Sequence, residues 1–226
     1  MRERTSFVPF RRQSEGKAML EFFTNPMSRG QIVRWMLEEV GAPYEERIIQ
    51  YGPEMKGPEY TAINPMGKVP AIRHDGKVVT EVAAICAYLA DAFPEKGLGP
   101  TPEDRHDYYR WMFFAAGPVE QAVSMNSAGI VPTEEQSRSF GFGSYDKVVD
   151  VLETLLSDRD YVCGARFSAA DVYLGSQIVW GLQFETLPKR DAFAAYAGRL
   201  TGRDPFRKAK ARDMALIAEM EAAKAQ

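Results

Sequence analysis

The residues best suited to chemistry lie in one stretch of the 226-residue chain, Asn64-Pro65-Met66-Gly67-Lys68-Val69-Pro70-Ala71-Ile72, and in the Thr80-Glu81 pair that follows it. Proline just before a strand donates nothing to the sheet, and an X-Pro bond there is a natural place for a cis peptide. A cis Val69-Pro70 bond would turn the Val69 N–H and C=O outward, where an extended ligand backbone could pair with them. Glu81 falls at the first turn of the next expected helix, so its carboxylate would stand beside unpaired helix N–H groups. Such a set suits a short peptide ligand that carries both a carboxylate and an ammonium. Any one of these features is compatible with an ordinary loop before a hairpin, and their combination is what points to a ligand.

A scaffold for these residues can be read from hydrophobic spacing. Met19 to Thr24 reads as a short buried strand broken by Asn25-Pro26. Ser28 precedes Ile32, Val33, Met36, Leu37 and Val40, one face of an amphipathic helix closed by Gly41. Tyr44 to Gln50 reads as a second strand, and residues 52–65 as a surface segment rich in glycine and proline. Asp75-Gly76 between Ala71–His74 and Lys77–Thr80 predicts a two-residue hairpin. Val82, Ile85, Cys86, Leu89 and Phe93 then recur at helical spacing.

The expected order is therefore βαβ, a connection, then ββα over residues 19–93, with a linker at 94–102 marked by Gly97, Gly99, Pro100 and Pro102. Beyond it only helical periodicity remains, with helices expected at 103–127, 133–157, 168–184, 191–200 and 205–224. The fold class is a small α/β domain followed by an all-α domain over 103–226. Ser168-Ala169-Ala170-Asp171 is a capping box opening the largely apolar helix expected at the centre of the second domain. Residues 1–18 are rich in arginine and lack periodicity, so they are expected to be a disordered extension dispensable for the fold.

Composition closes other routes. With 45% hydrophobic and 26% charged residues the chain is globular, and 28 Lys plus Arg against 31 Asp plus Glu leave a net charge of −3. No broad cationic field is available for nucleic acid. Cys86 and Cys163 form no CxxC pair, and with His74 and His106 they make no metal cluster. This usage points to a reducing, cytoplasmic setting and to no metal site. No apolar run approaches the roughly 20 residues that cross a bilayer. The cysteines are expected to be small core or near-surface residues, and the histidines to be solvated.

At this point residues 19–226 resemble the cytosolic glutathione S-transferases. The resemblance rests on Leu20-Glu21-Phe22-Phe23, Arg34-Trp35-Met36-Leu37-Glu38-Glu39, Asn64 to Pro70, Thr80-Glu81-Val82-Ala83-Ala84-Ile85 and Phe167-Ser168-Ala169-Ala170-Asp171. It implies a thioredoxin-like N-terminal domain, a helical-bundle domain after it, a homodimer, and glutathione as co-substrate at the junction with no tightly bound cofactor. It implies glutathione contacts at Lys56, Lys68, Val69, Pro70, Glu81 and Val82, with Val69 pairing to the cysteinyl part and Glu81 meeting the γ-glutamyl end. The family often has a serine where this chain has Val82, so the backbone N–H there remains but a hydroxyl donor is missing. It often has a tyrosine near the end of the first strand, where this chain has Phe22 and Phe23, and the following loop has no cysteine.

Thiol activation then falls to the loop from Thr24 to Gly30. Ser28 offers a hydroxyl, the helix after it a dipole, and Arg29 a cation. Thr24 is the competing hydroxyl and Asn25 a third polar group, while Ser28 also reads as a plain N-cap. For the apolar electrophile, the resemblance directs attention to the first helix after the linker, with Tyr108, Trp111 and Met112 as candidate wall residues and Met125 and Trp180 as weaker ones. The reaction implied is attack of the glutathione thiolate on a small apolar electrophile. A non-catalytic binding or regulatory protein of the same fold, and a glutathione-dependent disulfide reductase or peroxidase, stand as alternatives.

Overall fold

The computed structural model describes residues 20–224, so the proposed extension at 1–18 lies outside the described residues. Strand β1 (Leu20–Thr24) leads through a tight loop into helix α1 (Gly30–Val40), which Gly41 closes in the left-handed conformation at φ 64°. Strand β2 (Tyr44–Ile48) runs parallel to β1, as a βαβ unit requires. Two single helical turns, α2 (Pro53–Lys56) and α3 (Pro58–Thr61), occupy the stretch expected to be plain surface segment, each started by a proline whose fixed φ suits that position. The hairpin of β3 (Ala71–His74) and β4 (Lys77–Thr80) follows, turned by Asp75 and Gly76 at φ 50° and 79°. The strands order as β2-β1-β3-β4, with β3 antiparallel to both its neighbours.

Alternation along β1 divides the sheet into two apolar faces. Leu20 and Phe22 join Ile72 and the apolar side of α1 in the main core, which also takes in helix α4 (Val82–Ala92). Phe23 and Ala71 point the other way, onto Met55 and Tyr60 from the two short turns. His74 does not stand in solvent as expected: its Nδ1 lies 3.0 Å from the Tyr88 hydroxyl and its ring stacks on Phe93, because β3 ends beneath α4.

The second domain contains α5 (Arg105–Phe114), α6 (Glu120–Ser127), α7 (Glu134–Ser139), α8 (Tyr145–Ser157), α9 (Ala169–Gln183), α10 (Asp191–Thr201) and α11 (Asp204–Lys224). Between α5 and α6 the backbone passes through a π-helical turn, Ala115–Val119, that contains Pro118. A proline inside a helix supplies no N–H, and a widened turn is one way the ladder continues past it. The single helix expected at 133–157 is two: Gly141 and Gly143 break the period, Gly143 at φ 70°, while Phe142 is buried and stacked on Phe140.

Helix α9 is buried from Ala169 to Ile178 and packs against α1, α4, α5 and α10. Its start is the capping box read from the sequence. Asp171 is buried and its carboxylate accepts from the N–H of Val162 at 2.8 Å, the N–H and hydroxyl of Ser168 at 2.9 and 3.0 Å, and the hydroxyl of Tyr196 at 2.9 Å. Burial pushes this carboxyl up to about 6, and those donors pull against it. Removing it would orphan buried donors from three segments. Asp171→Ala is expected to lose roughly 3 kcal/mol of stability, measured by urea unfolding; a loss below about 1 kcal/mol would show that other acceptors replace it.

Candidate functional site

Two sizeable cavities lie along the seam between the domains, beside a third of only about 40 Å³ between α1, α9 and α11. The larger, about 850 Å³, is bounded by Met27, Ser28, Arg29 and Gln31 before and within α1, and by Tyr51, Met55, Lys56, Lys68 and Val69 on the loops beside the sheet. Trp180, Gln183 and Phe184 at the end of α9, and Lys210, Met214 and Ile217 on α11, form its far wall. The smaller, about 310 Å³, is lined by Pro70, Glu81 and Val82 together with Ala116, Glu120 and Tyr173. Arg29, Lys68 and Val69 line both, so the two compartments form one trough that bends at Val69.

The backbone at that bend is poised for pairing. The Val69-Pro70 bond is cis, and neither the N–H nor the C=O of Val69 has a partner among the described residues. The loop around it is held from below: Tyr60 Oη and Asn64 Nδ2 each donate to the Lys68 carbonyl at 2.7 Å, and Lys56 Nζ donates to the Gly67 carbonyl at 2.7 Å. Lys56 therefore fastens this loop as well as bringing charge to the cavity. Glu81 is exposed and adopts φ 66°, an uncommon conformation for a residue with a side chain. It is followed at once by α4, whose first N–H, on Val82, has no partner among the described residues. The Val82 side chain is turned mostly into the core.

On the other side of the bend, Asn25 shapes the loop. Its Nδ2 donates to the Ile49 carbonyl and its Oδ1 accepts from Met27 N–H, both at 3.0 Å, while its own carbonyl accepts from Ser28 N–H and from Ser28 Oγ. The side chain is thus spent inside the fold and lines neither cavity, which corrects its reading as a group that orients a ligand anion directly. Thr24 is corrected likewise: it is fully buried, its Oγ1 has no partner among the described residues, and it reaches neither cavity. Gly30 covers it, since a Cβ there would stand 2.0 Å from Thr24 Oγ1. Ser28 does line the larger cavity, with its Oγ accepting from Gly30 N–H at 2.9 Å and donating to the Asn25 carbonyl at 2.6 Å. It caps α1 from one position earlier than the N-cap, which is Arg29. The Arg29 guanidinium is half-exposed and bonds Glu120 on α6, which Gln177 also meets at 3.3 Å.

The expected apolar wall is elsewhere. Tyr108, Trp111 and Met112 are 1%, 4% and 3% exposed, and Met125 packs against the same core; none lines either of these two cavities. Their i, i+3, i+4 spacing is the stripe by which α5 packs on α9. Of the aromatic candidates only Trp180 lines the larger cavity, joined by Phe184, Met214 and Ile217, which the sequence reading missed. A signal did exist: Phe184 and Met214 are large apolar residues at polar helix surfaces, 64% and 52% exposed. Neither thiol lines either cavity: Cys86 is fully buried, and Cys163 is half-buried, with burial pushing it up to about 11. Among the described residues no group of acidic, histidine and cysteine side chains could hold a metal ion, and no helix is long and apolar enough to cross a membrane.

Comparison with known proteins agrees with this architecture. A family model described as the glutathione S-transferase N-terminal domain matches residues 27–92. Glutathione S-transferase GstA of Escherichia coli O157:H7 is 30% identical over 65% of this chain and 74% of its own length. Glutathione S-transferase 1 of Schizosaccharomyces pombe is 31% identical over 60% of this chain and 64% of its own length, just under two thirds of that protein. A crystal structure of a Sulfitobacter glutathione transferase homolog with bound glutathione superposes with a TM-score of 0.68 at 26% identity, covering 87% of this chain and 99% of that one. The chain belongs to the glutathione S-transferase family of enzymes, with a thioredoxin-like N-terminal domain followed by an all-helical one.

The buried hydroxyl of Thr24 leads to a simple expectation. Thr24→Val keeps the shape and removes an unpartnered polar atom, so thermal unfolding should show unchanged stability or a gain of up to about 1 kcal/mol. A loss of that size would mean that the hydroxyl has a partner after all.

Proposed function

We propose that the protein activates the thiol of glutathione for attack on a small apolar electrophile, with the tripeptide lying along the trough. The observation that carries this reading is the unpartnered Val69 backbone at the bend, with Glu81 and the start of α4 on one side and Ser28 on the other. Val69 pairs with the cysteinyl backbone, which Pro70 leaves open to the ligand. Glu81 meets the γ-glutamyl ammonium, and the Val82 N–H at the head of α4 meets its carboxylate. Lys56 and Lys68 attract the glycyl carboxylate. The sulfur then lies toward Ser28, and the apolar electrophile against Trp180, Phe184, Met214 and Ile217. The carbon–sulfur bond forms as a leaving group departs or as a double bond accepts the thiolate.

A free thiol with a pKa near 8.5 is only a few per cent ionised at neutral pH. Lowering it by two units takes about 2.7 kcal/mol of preference for the anion. One hydrogen bond to a charged acceptor contributes about 1.5–3 kcal/mol, and a helix N-terminus about 0.3–1 kcal/mol. Ser28 and α1 together reach that sum. Because the Ser28 proton lies on the Asn25 carbonyl, the hydroxyl turns toward the sulfur only when the thiolate, a stronger acceptor, is present. Arg29 adds less than its charge suggests, being paired with Glu120. A relay through a protein thiol has no residue to use here, which favours direct transfer over a reductase cycle.

Ser28→Ala is expected to raise the pH at which the ultraviolet thiolate band of bound glutathione appears by about one unit, worth about 1.4 kcal/mol, with glutathione still bound. An unmoved profile would assign the anion to backbone N–H groups and overturn the role given to Ser28.

We further propose a homodimer, supported by exposed Tyr109 and Phe113 one turn apart on α5, 50% and 70% accessible, and by exposed Met66 and Val78 on the small domain. Light scattering at micromolar concentration should read twice the chain mass; a monomer mass would overturn it.

A further inference from the structure

The charge around the larger cavity is one-sided: Arg29, Lys56, Lys68 and Lys210 line it, and among the described residues no aspartate or glutamate does. Three of the four have work already. Arg29 is paired with Glu120, and Lys56 and Lys68 flank the loop along which the glycyl end of glutathione runs in the proposed pose. Lys210 stands on the opposite wall, on the same face of α11 as Met214 and Ile217, one and two turns further on. Its Nζ donates to Gln31 Oε1 at 3.2 Å, a neutral acceptor. That amide is held in orientation, because Gln31 Nε2 donates to the Pro26 carbonyl at 2.6 Å. The nearby carboxylate of Asp213 bonds Arg34 at 2.7 Å, with Arg34 fully buried beside it.

Lys210 is therefore a half-buried residue whose ammonium is held by an amide in a largely apolar wall; it makes no salt bridge among the described residues, and the Asp213 carboxylate one turn on feels its charge while bonding Arg34. Gln31 lies in the first turn of α1, three residues after Ser28, so the amide that anchors this cation and the hydroxyl assigned to the thiolate line the same cavity. A charge so placed is unfavourable beside an uncharged apolar ligand and favourable beside an anion.

Resting on the glutathione transferase reading above, we propose that Lys210 is a specificity-determining residue that pairs with an anionic group on the electrophile, and that the preferred second substrate is an apolar acid. Its hydrocarbon or aromatic body lies on Trp180, Phe184, Met214 and Ile217, its carboxylate or similar anion meets Lys210, and its reactive carbon faces the sulfur near Ser28. The group transferred is unchanged: the carbon–sulfur bond forms and the leaving group departs with its electron pair.

The test is calorimetric binding of two product-like probes, S-(4-carboxybenzyl)glutathione and S-(4-methylbenzyl)glutathione, to the full chain and to Lys210→Met and Lys210→Arg. The carboxylated conjugate is expected to bind the unaltered protein about tenfold tighter than the methyl one. Lys210→Met should abolish that preference by weakening the carboxylated probe alone, and Lys210→Arg should retain it. Equal affinity of the two probes, or equal loss of both in Lys210→Met, would overturn this inference while leaving the transferase reading in place. Failure of both probes to bind the unaltered protein would overturn that reading and this inference with it.

Discussion

The seam between the domains depends on one buried charge. Arg34 on α1 is fully buried: its Nε donates to Asp213 on α11 at 2.7 Å, its Nη1 reaches Glu46 and the Tyr44 hydroxyl, and the guanidinium lies over the Phe22 ring. Burial alone would lower its pKa, and Asp213, Tyr44 and Glu46 hold it above the usual arginine value. An unpaired guanidinium inside the protein would be prohibitively costly, so α11 must return to α1 with its aspartate in register. Arg203 joins Glu39 by two bonds of 2.7 Å, and Trp35 meets Phe206 edge to face at 5.0 Å along the same contact. The pair contributes more to defining how the helices lie than to net stability, since desolvation offsets most of its attraction.

That registration builds the trough. With α11 clamped to α1, Met214 and Ile217 face Ser28 and Gln31 across the cavity, and α9 brings Trp180 and Phe184 to its end. The same helix α1 lines the larger cavity with its N-terminal turn and meets the clamp with its middle, so the geometry near Ser28 is tied directly to the most buried ion pair among the described residues. The loop before α1 is stiffened independently by Asn25, which satisfies four neighbouring polar groups, and by Gly30, which lets the backbone sit on Thr24. A site held from both directions loses little entropy when ligand binds.

The polarity of the two compartments also differs. The smaller one combines Glu81 and Glu120 with the shared Arg29 and Lys68 and with the N–H at the head of α4, suited to a zwitterionic group, whereas the larger has cations on an apolar lining and no carboxylate among the described residues. Val69 stands between them. A ligand with an amino acid at one end and a thiol further along would find matched surroundings in each half, and a second molecule would meet only the apolar, cationic wall.

What short-range chemistry decides was legible along the chain. Asp75-Gly76 specified its hairpin because both positions need positive φ, Gly41 closed α1, Ser168 and Asp171 opened α9, and the βαβ-ββα order followed from periods of two and 3.6 residues. Ser28 was legible as a hydroxyl at a helix start, where capping is its commonest use, whereas its place on the wall of the larger cavity came from the fold. Long-range packing decided the rest. Whether Tyr108, Trp111 and Met112 face a core or a cavity depends on where α9 lies, and periodicity identifies an apolar stripe without naming what covers it. Thr24 and Ser28 carry the same group four residues apart, yet one is sealed beneath Gly30 and the other open to the cavity. Arg34 and Asp213, separated by 179 positions, form a pair that no local pattern announces. The wall of the larger cavity came from α9 and α11 because burying a charge at α1 required α11 to close there, a constraint that exists only once the chain has folded.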